Sequence, residues 1–259
     1  MKIAVCGKGG VGKTTISGLL CRTLGSKGIP VLAIDGDPNP NLALTLGIDP
    51  MAAMPKAITS KLLEVYEKED GKKYAKLKVP LAEVMDLHGI QAADNVTLLA
   101  VGQPEHAGTG CMCGTHTTVR EIIHTALEES ELVTLLDLEA SLEQMKRGTS
   151  KYVDVLLCVV EPYYRSMEAV ARFQRLGIEL EIKNIVAVAN KVKNAADELA
   201  IREFCAQTDL EVIAVIPFDT IVSEADKGGS LDINSIGHSP ALQAIANLGN
   251  DLLKRVKTD

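Results

Sequence analysis

Gly7-Lys8-Gly9-Gly10-Val11-Gly12-Lys13-Thr14 follows the apolar run Lys2–Cys6 and precedes a segment with Ile16, Leu19, Leu20 and Leu24 at helical spacing. The stretch fits G-x-x-x-x-G-K-[ST], and a strand before it and a helix after it supply the context that gives this spacing meaning. Its glycines leave room for backbone N–H groups to turn toward phosphate oxygens, where a Cβ would obstruct. The N-terminus of the helix adds partial positive charge. The expectation is a site for the phosphates of ATP or ADP formed by Gly9, Gly10, Val11, Gly12, Lys13, Thr14 and Thr15. Lys13 would reach the β- and γ-phosphates, and the Thr14 hydroxyl would ligate Mg²⁺. The bland alternative is a glycine-rich turn with a chance lysine, and it leaves the flanking strand and helix unexplained.

Outward from this loop, short apolar runs alternate with helical patterns, which is how a parallel sheet with crossover helices reads. Lys2–Cys6, Val31–Asp35, Val96–Val101, Leu132–Leu138, Val153–Val160, Ile185–Ala189 and Val212–Ile216 make about seven strands. Most are apolar throughout, as strands buried on both faces are. The first helix ends near Gly25 and Gly28, and Pro30 blocks its continuation. Further helices are expected over Thr117–Glu129, Ser166–Leu176, Ala195–Ala206 and Ala241–Val256. The charged interval 49–91 reads as peripheral helices inserted within the domain. The fold class is therefore α/β, a single P-loop NTPase domain over residues 1–259 with a mostly parallel sheet flanked by helices.

A chain of 259 residues with 46 % apolar content can cover such a sheet on both faces, and at 3 % aromatic its core must be aliphatic. Its 27 Lys+Arg against 34 Asp+Glu give a formal charge of -7, which argues against nucleic acid or an anionic membrane as partner. No leader precedes the first strand and no apolar run approaches the roughly 20 residues of a membrane helix, so a cytoplasmic location is expected. Six cysteines in a chain this long do not form a disulfide framework. Cys6, Cys21 and Cys158 read as small buried hydrophobes, and Cys205 carries no signal.

Asp35-Gly36-Asp37-Pro38-Asn39 follows the second strand, where α/β proteins gather ligands. Asp37 could hold a metal-bound water or orient the attacking one; alternatively it forms an Asx-type turn. Asp137 closes the run Leu132–Leu136 and fits the Walker B role of holding Mg²⁺ through water. Asn190-Lys191 and Pro217-Phe218-Asp219 close two late strands, and the Asn190 amide can offer a purine edge both donor and acceptor.

Gly108-Thr109-Gly110-Cys111-Met112-Cys113-Gly114-Thr115-His116 is a second chemical feature. A Cys111–Cys113 disulfide would be strained, whereas two thiolates on a glycine-rich loop suit a soft or borderline metal, and Zn²⁺ binds such thiolates tightly. A twofold dimer would complete four ligands, or His116 would join a Cys-x-Cys-x-x-His set within one chain.

Lys8 makes a wider resemblance specific. The run Gly7 to Thr15 looks like the deviant Walker A motif of the MinD/nitrogenase-iron-protein group of dimeric ATPases. That resemblance implies a homodimer in which Lys8 reaches the partner's nucleotide, Asp37 as the switch I catalytic residue, and Asn190, Lys191, Pro217 and Phe218 clamping adenine. With Asp35-Gly36-Asp37-Pro38, the Cys-x-Cys loop, Glu143 to Gly148-Thr149, Val159-Val160-Glu161-Pro162 and Asn190-Lys191-Val192, most of the chain is similar to CooC-type nickel-insertion ATPases that mature carbon monoxide dehydrogenase. It departs from them at Glu139 and Ser141, where a glycine is usual after the Walker B aspartate, and at Gln144, where histidine is expected. The resemblance implies an ATP-hydrolysing metallochaperone with a client metalloenzyme. A second class is an iron-sulfur electron donor like the nitrogenase iron protein, which the adjacent cysteine pair fits less well. A MinD- or ParA-like positioning role is the third. The last helix, with Leu242, Ile245, Leu252, Leu253 and Val256 and only three basic residues near its end, is expected to pack on the sheet instead of a membrane.

Overall fold

The computed structural model describes residues 1–37, 41–49, 60–67, 71, 73–101, 113–129, 131–138, 150–227, 237 and 239–255. The strands are β1 (Lys2–Gly7), β2 (Val31–Asp35), β3 (Leu63–Glu67), β4 (Lys73–Leu77), β5 (Ile90–Gln91), β6 (Val96–Ala100), β7 (Val133–Asp137), β8 (Val155–Val160), β9 (Ile185–Val192) and β10 (Glu211–Pro217). Among the described residues the helices are α1 (Lys13–Gly25), α2 (Leu42–Thr45), α3 (Leu81–His88), α4 (Cys113–Glu129), α5 (Tyr164–Glu179), α6 (Ala195–Ala206), α7 (Thr220–Lys227) and α8 (Pro240–Arg255).

Eight strands form one sheet in the order β10-β9-β8-β1-β7-β2-β6-β5. All neighbours are parallel except β5, which pairs antiparallel with β6 at one edge. All seven apolar runs of the sequence are strands of this sheet. Side chains alternate between its faces. Ala4, Cys6, Ile34 and Leu136 pack beneath Ile122 and Ile123 of α4 and Phe173 of α5, while Ile3, Val5, Ala33 and Leu135 pack beneath Leu20 of α1 and Ile245 of α8. Both faces are covered, which is why the strands carry few polar residues. In α8, Ala241, Ile245, Leu248, Gly249 and Leu252 are buried, so its apolar stripe packs on the domain as expected. No described helix is long and apolar enough to cross a membrane.

The interval 49–91 departs from the expected helices. Among its described residues, β3 and β4 form an antiparallel hairpin and only α2's successor α3 is an α-helix. The alternation in Leu63-Glu64-Val65-Tyr66-Glu67 is a strand period that the surrounding charge obscures. Leu63 is buried, Tyr66 stacks on Tyr74 at 6.0 Å, and Glu64 pairs with Lys76 at 3.2 Å across the strands. Cys6, Cys21, Cys158 and Cys205 are buried free thiols.

Candidate nucleotide site

The carboxyl ends of β1, β2, β7, β8, β9 and β10 meet at the loop between β1 and α1, where ligands of open α/β sheets bind. Lys8, Gly9 and Gly10 are exposed. Two donors converge on one point of this loop: the Val11 N–H and the Lys13 Nζ both lie 3.4 Å from the Lys8 carbonyl oxygen. Such long contacts are readily exchanged for a phosphate oxygen. Gly12, at φ 91°, is required here twice over, because a Cβ would also lie 2.5 Å from Asn190 Nδ2.

Beneath the loop lies Asp137, paired in register with Asp35 on the neighbouring strand and 2 % exposed. The hydroxyls of Thr14 and Ser17 donate to its carboxylate, Ser17 at 3.1 Å. Burial raises the Asp137 pKa to about 7, with Asp35 pushing the same way and Thr14, Ser17 and Lys13 opposing. A buried carboxyl with hydroxyls beside it is an oxygen-rich site of the kind hard divalent cations take, and a cation's charge would favour its ionised form; Thr14 with Asp137 are the residues that could hold Mg²⁺.

Burial likewise raises Asp35 to about 6, against hydrogen bonds from Leu42, Asp37 and Asn41 backbone N–H groups and with Asp37's charge adding to the rise. Asp35 Oδ2 takes the Leu42 N–H at 2.8 Å and Oδ1 takes the Asp37 N–H at 3.1 Å. The Asx-type turn is thus formed by Asp35, and it presents the half-buried Asp37 beyond the strand. Neither Asp35 nor Ser17 was singled out from sequence. Ser17 could have been found as a polar residue one helical turn after Thr14 in an apolar stretch, and Asp35 as an acid inside an otherwise apolar strand.

A cavity of about 180 Å³ adjoins the loop, lined by Gly12, Thr15, Ile16, Asn190, Lys191, Pro217 and Phe218 with residues of α7 and α8. All four residues expected around the base therefore surround one cavity. Asn190 is buried and its Nδ2 donates to the Val11 carbonyl at 2.7 Å. Lys191 Nζ donates to the Gly10 carbonyl at 2.6 Å and lies 2.5 Å from Glu161 Oε1. Phe218 is 42 % exposed, with Lys193 Nζ 5.2 Å from its ring centre. Asp219 also lines the cavity. Partial burial pushes its pKa up, but the Ser239 hydroxyl and the Ala241, Ile221 and Val222 N–H groups outweigh this and hold it below the ordinary value.

Of the other expected residues, Cys111, Glu139, Ser141 and Gln144 lie outside the described residues. Cys113 and His116 fall within α4, and only their helical placement is described. That helix is anchored further along by buried Val119, Ile122, Ile123, Ala126 and Leu127.

The family model of the CobQ/CobB/MinD/ParA nucleotide binding domain matches residues 2–233. The chain is similar to the carbon monoxide dehydrogenase accessory protein CooC of Rhodospirillum rubrum, 36 % identical over 99 % of this chain and 97 % of that one. It is also similar to an uncharacterised ATP-binding protein of Methanocaldococcus jannaschii, 32 % identical over 100 % of both. Among solved structures, the septum site-determining protein MinD complexed with Mg-ADP from Pyrococcus horikoshii OT3 superposes with a TM-score of 0.69 at 20 % identity, covering 96 % of this chain and 94 % of that one.

Proposed function

The chain belongs to the CobQ/CobB/MinD/ParA family of nucleotide-binding domains as a CooC-type ATPase, and on that footing we propose that it is a metallochaperone whose ATP hydrolysis drives metal insertion into a client enzyme. The observation that carries this reading is the match along 99 % of the chain to an accessory protein of carbon monoxide dehydrogenase. The Cys111/Cys113 pair, present in a chain with a complete phosphate loop, agrees with it.

In this account Lys13 and the N–H groups of Val11 and Gly12 hold the phosphates, and Thr14 and Asp137 hold Mg²⁺. The cation, when bound, neutralises charge on the β- and γ-phosphates. Asp37 orients the attacking water, placed by the Asp35 turn. Asn190, Pro217 and Phe218 enclose the adenine, with Lys191 at the cavity's edge. The exposed Lys8 reaches the partner's nucleotide in an ATP-dependent homodimer. Cys111 and Cys113 from two chains carry one Ni²⁺ as cargo, with Zn²⁺ as a competing ion. The client is a carbon monoxide dehydrogenase-like metalloenzyme, and the site of action is the cytoplasm.

The test is reconstitution of a nickel-free carbon monoxide dehydrogenase with limiting Ni²⁺. Activation should require this chain, ATP and both cysteines. Equal activation by the Cys111→Ala/Cys113→Ala variant would reject the cargo role.

A further inference from the structure

We propose that Lys191 and Glu161 form a strut that positions the phosphate loop, so that Lys191 serves the triphosphate and not the base. The inference rests on the nucleotide-binding reading above. Lys191 has a left-handed backbone, φ 56°, inside β9, where the pairing with β10 shifts register between Val215 and Pro217. A side-chain-bearing residue holds that conformation only where its surroundings impose it. Its ammonium lies 2.6 Å from the Gly10 carbonyl and 2.5 Å from Glu161 Oε1. Glu161 is itself fixed: its N–H donates to Ser166 Oγ at 3.0 Å, and its carbonyl accepts the Tyr163 N–H at 2.7 Å. The strut therefore ties the end of β8 to the end of β9 and to the loop.

The next contact shows what the strut does. Asn190 takes the Val11 carbonyl at 2.7 Å, so two consecutive residues hold two consecutive loop carbonyls. In a planar trans peptide the N–H points opposite to the C=O. Anchoring the Gly10 carbonyl on Lys191 turns the Val11 N–H the other way, and anchoring the Val11 carbonyl on Asn190 does the same for the Gly12 N–H. Among the described residues the Val11 N–H meets the Lys8 carbonyl at a long 3.4 Å. Donors aimed before the anion arrives need no reorganisation when it binds. Glu161 keeps the ammonium on the carbonyl and shares its charge.

The strut and simple charge effects predict opposite signs. Removing the Glu161 charge beside an anion site should tighten phosphate binding by Coulomb's law, whereas loss of a strut should weaken it. Calorimetric titration of the full chain with Mg²⁺-ATP and with Mg²⁺-tripolyphosphate, which lacks a base, separates the two. Glu161→Gln should weaken both ligands by roughly three- to tenfold, the scale of one ordinary hydrogen bond. Lys191→Met should weaken both by equal factors, and the double variant should be no weaker than Lys191→Met alone. Tighter or unchanged tripolyphosphate binding in Glu161→Gln overturns the strut. So does loss of ATP affinity alone in Lys191→Met, which would make Lys191 a base contact. Glu161→Gln is isosteric and carries the test if Lys191→Met fails to fold. A wild-type chain that bound neither ligand would instead reject the nucleotide site itself.

Discussion

Asp137 and Asp35 are paired in register on adjacent strands, and burial raises both carboxyl pKa values from 3.8, to about 7 and about 6. Raised carboxyl values mean that the folded state binds protons more tightly than the unfolded chain. Their contribution to stability is therefore greatest below pH ~4 and is lost as pH rises toward ~7. In nucleotide-free protein, Asp137→Asn should gain stability relative to wild type as pH goes from 5 to 8, read as the difference in Tm. A difference that shrinks over that range would contradict the burial argument. In turnover, Lys13→Ala should abolish ATP binding or hydrolysis, while Asp37→Asn should keep binding and lose most hydrolysis, about 10²-fold or more for a failed general base. Full activity in Asp37→Asn would remove it from the mechanism. Lys13 and Thr14 were legible because their roles are fixed by spacing within one loop. The role of Glu161 was not, because its partner Lys191 lies 30 positions away and only the sheet brings them together; Ser17 left a polar signal in α1, but its partner Asp137, 120 positions away, did not show in the sequence.

Elements were legible where the pattern was long and one-sided. The seven parallel strands announce themselves as apolar runs because the sheet is covered on both faces, and α1, α5, α6 and α8 keep a helical stripe. The hairpin of β3 and β4 did not, since Leu63 is its only buried residue on the first strand and charges flank it. Close backbone approaches are equally invisible in sequence. The C-terminus of α1 abuts the turn at Asp94 and Asn95, both with left-handed backbones, so that a Cβ on Gly25 would lie 1.7 Å from the Asp94 carbonyl oxygen. Backbone cannot give way as a side-chain tip can. Gly25→Ala should cost about 3 kcal/mol or more, measured by urea denaturation. A loss below about 1 kcal/mol would show that the turn relaxes and is not rigidly packed.

For the whole molecule, fold and family follow from the loop and sheet, while assembly rests on two features that one chain leaves incomplete. Lys8 is exposed, and in the proposed reading the Cys111/Cys113 pair would supply two of four tetrahedral ligands. If Lys8 acts on a partner's nucleotide, Lys8→Ala should abolish ATP-induced dimerisation in light scattering and lower hydrolysis with it; an unchanged dimer would retire the role in trans. The metallochaperone account is tested most directly by metal content and solution mass measured together on protein loaded anaerobically with Ni²⁺ in the presence of Mg²⁺-ATP. The account predicts a dimer carrying one ion per two chains, lost in Cys111→Ala/Cys113→Ala while ATP binding persists. One ion per chain on a monomer, abolished by His116→Ala, would contradict it.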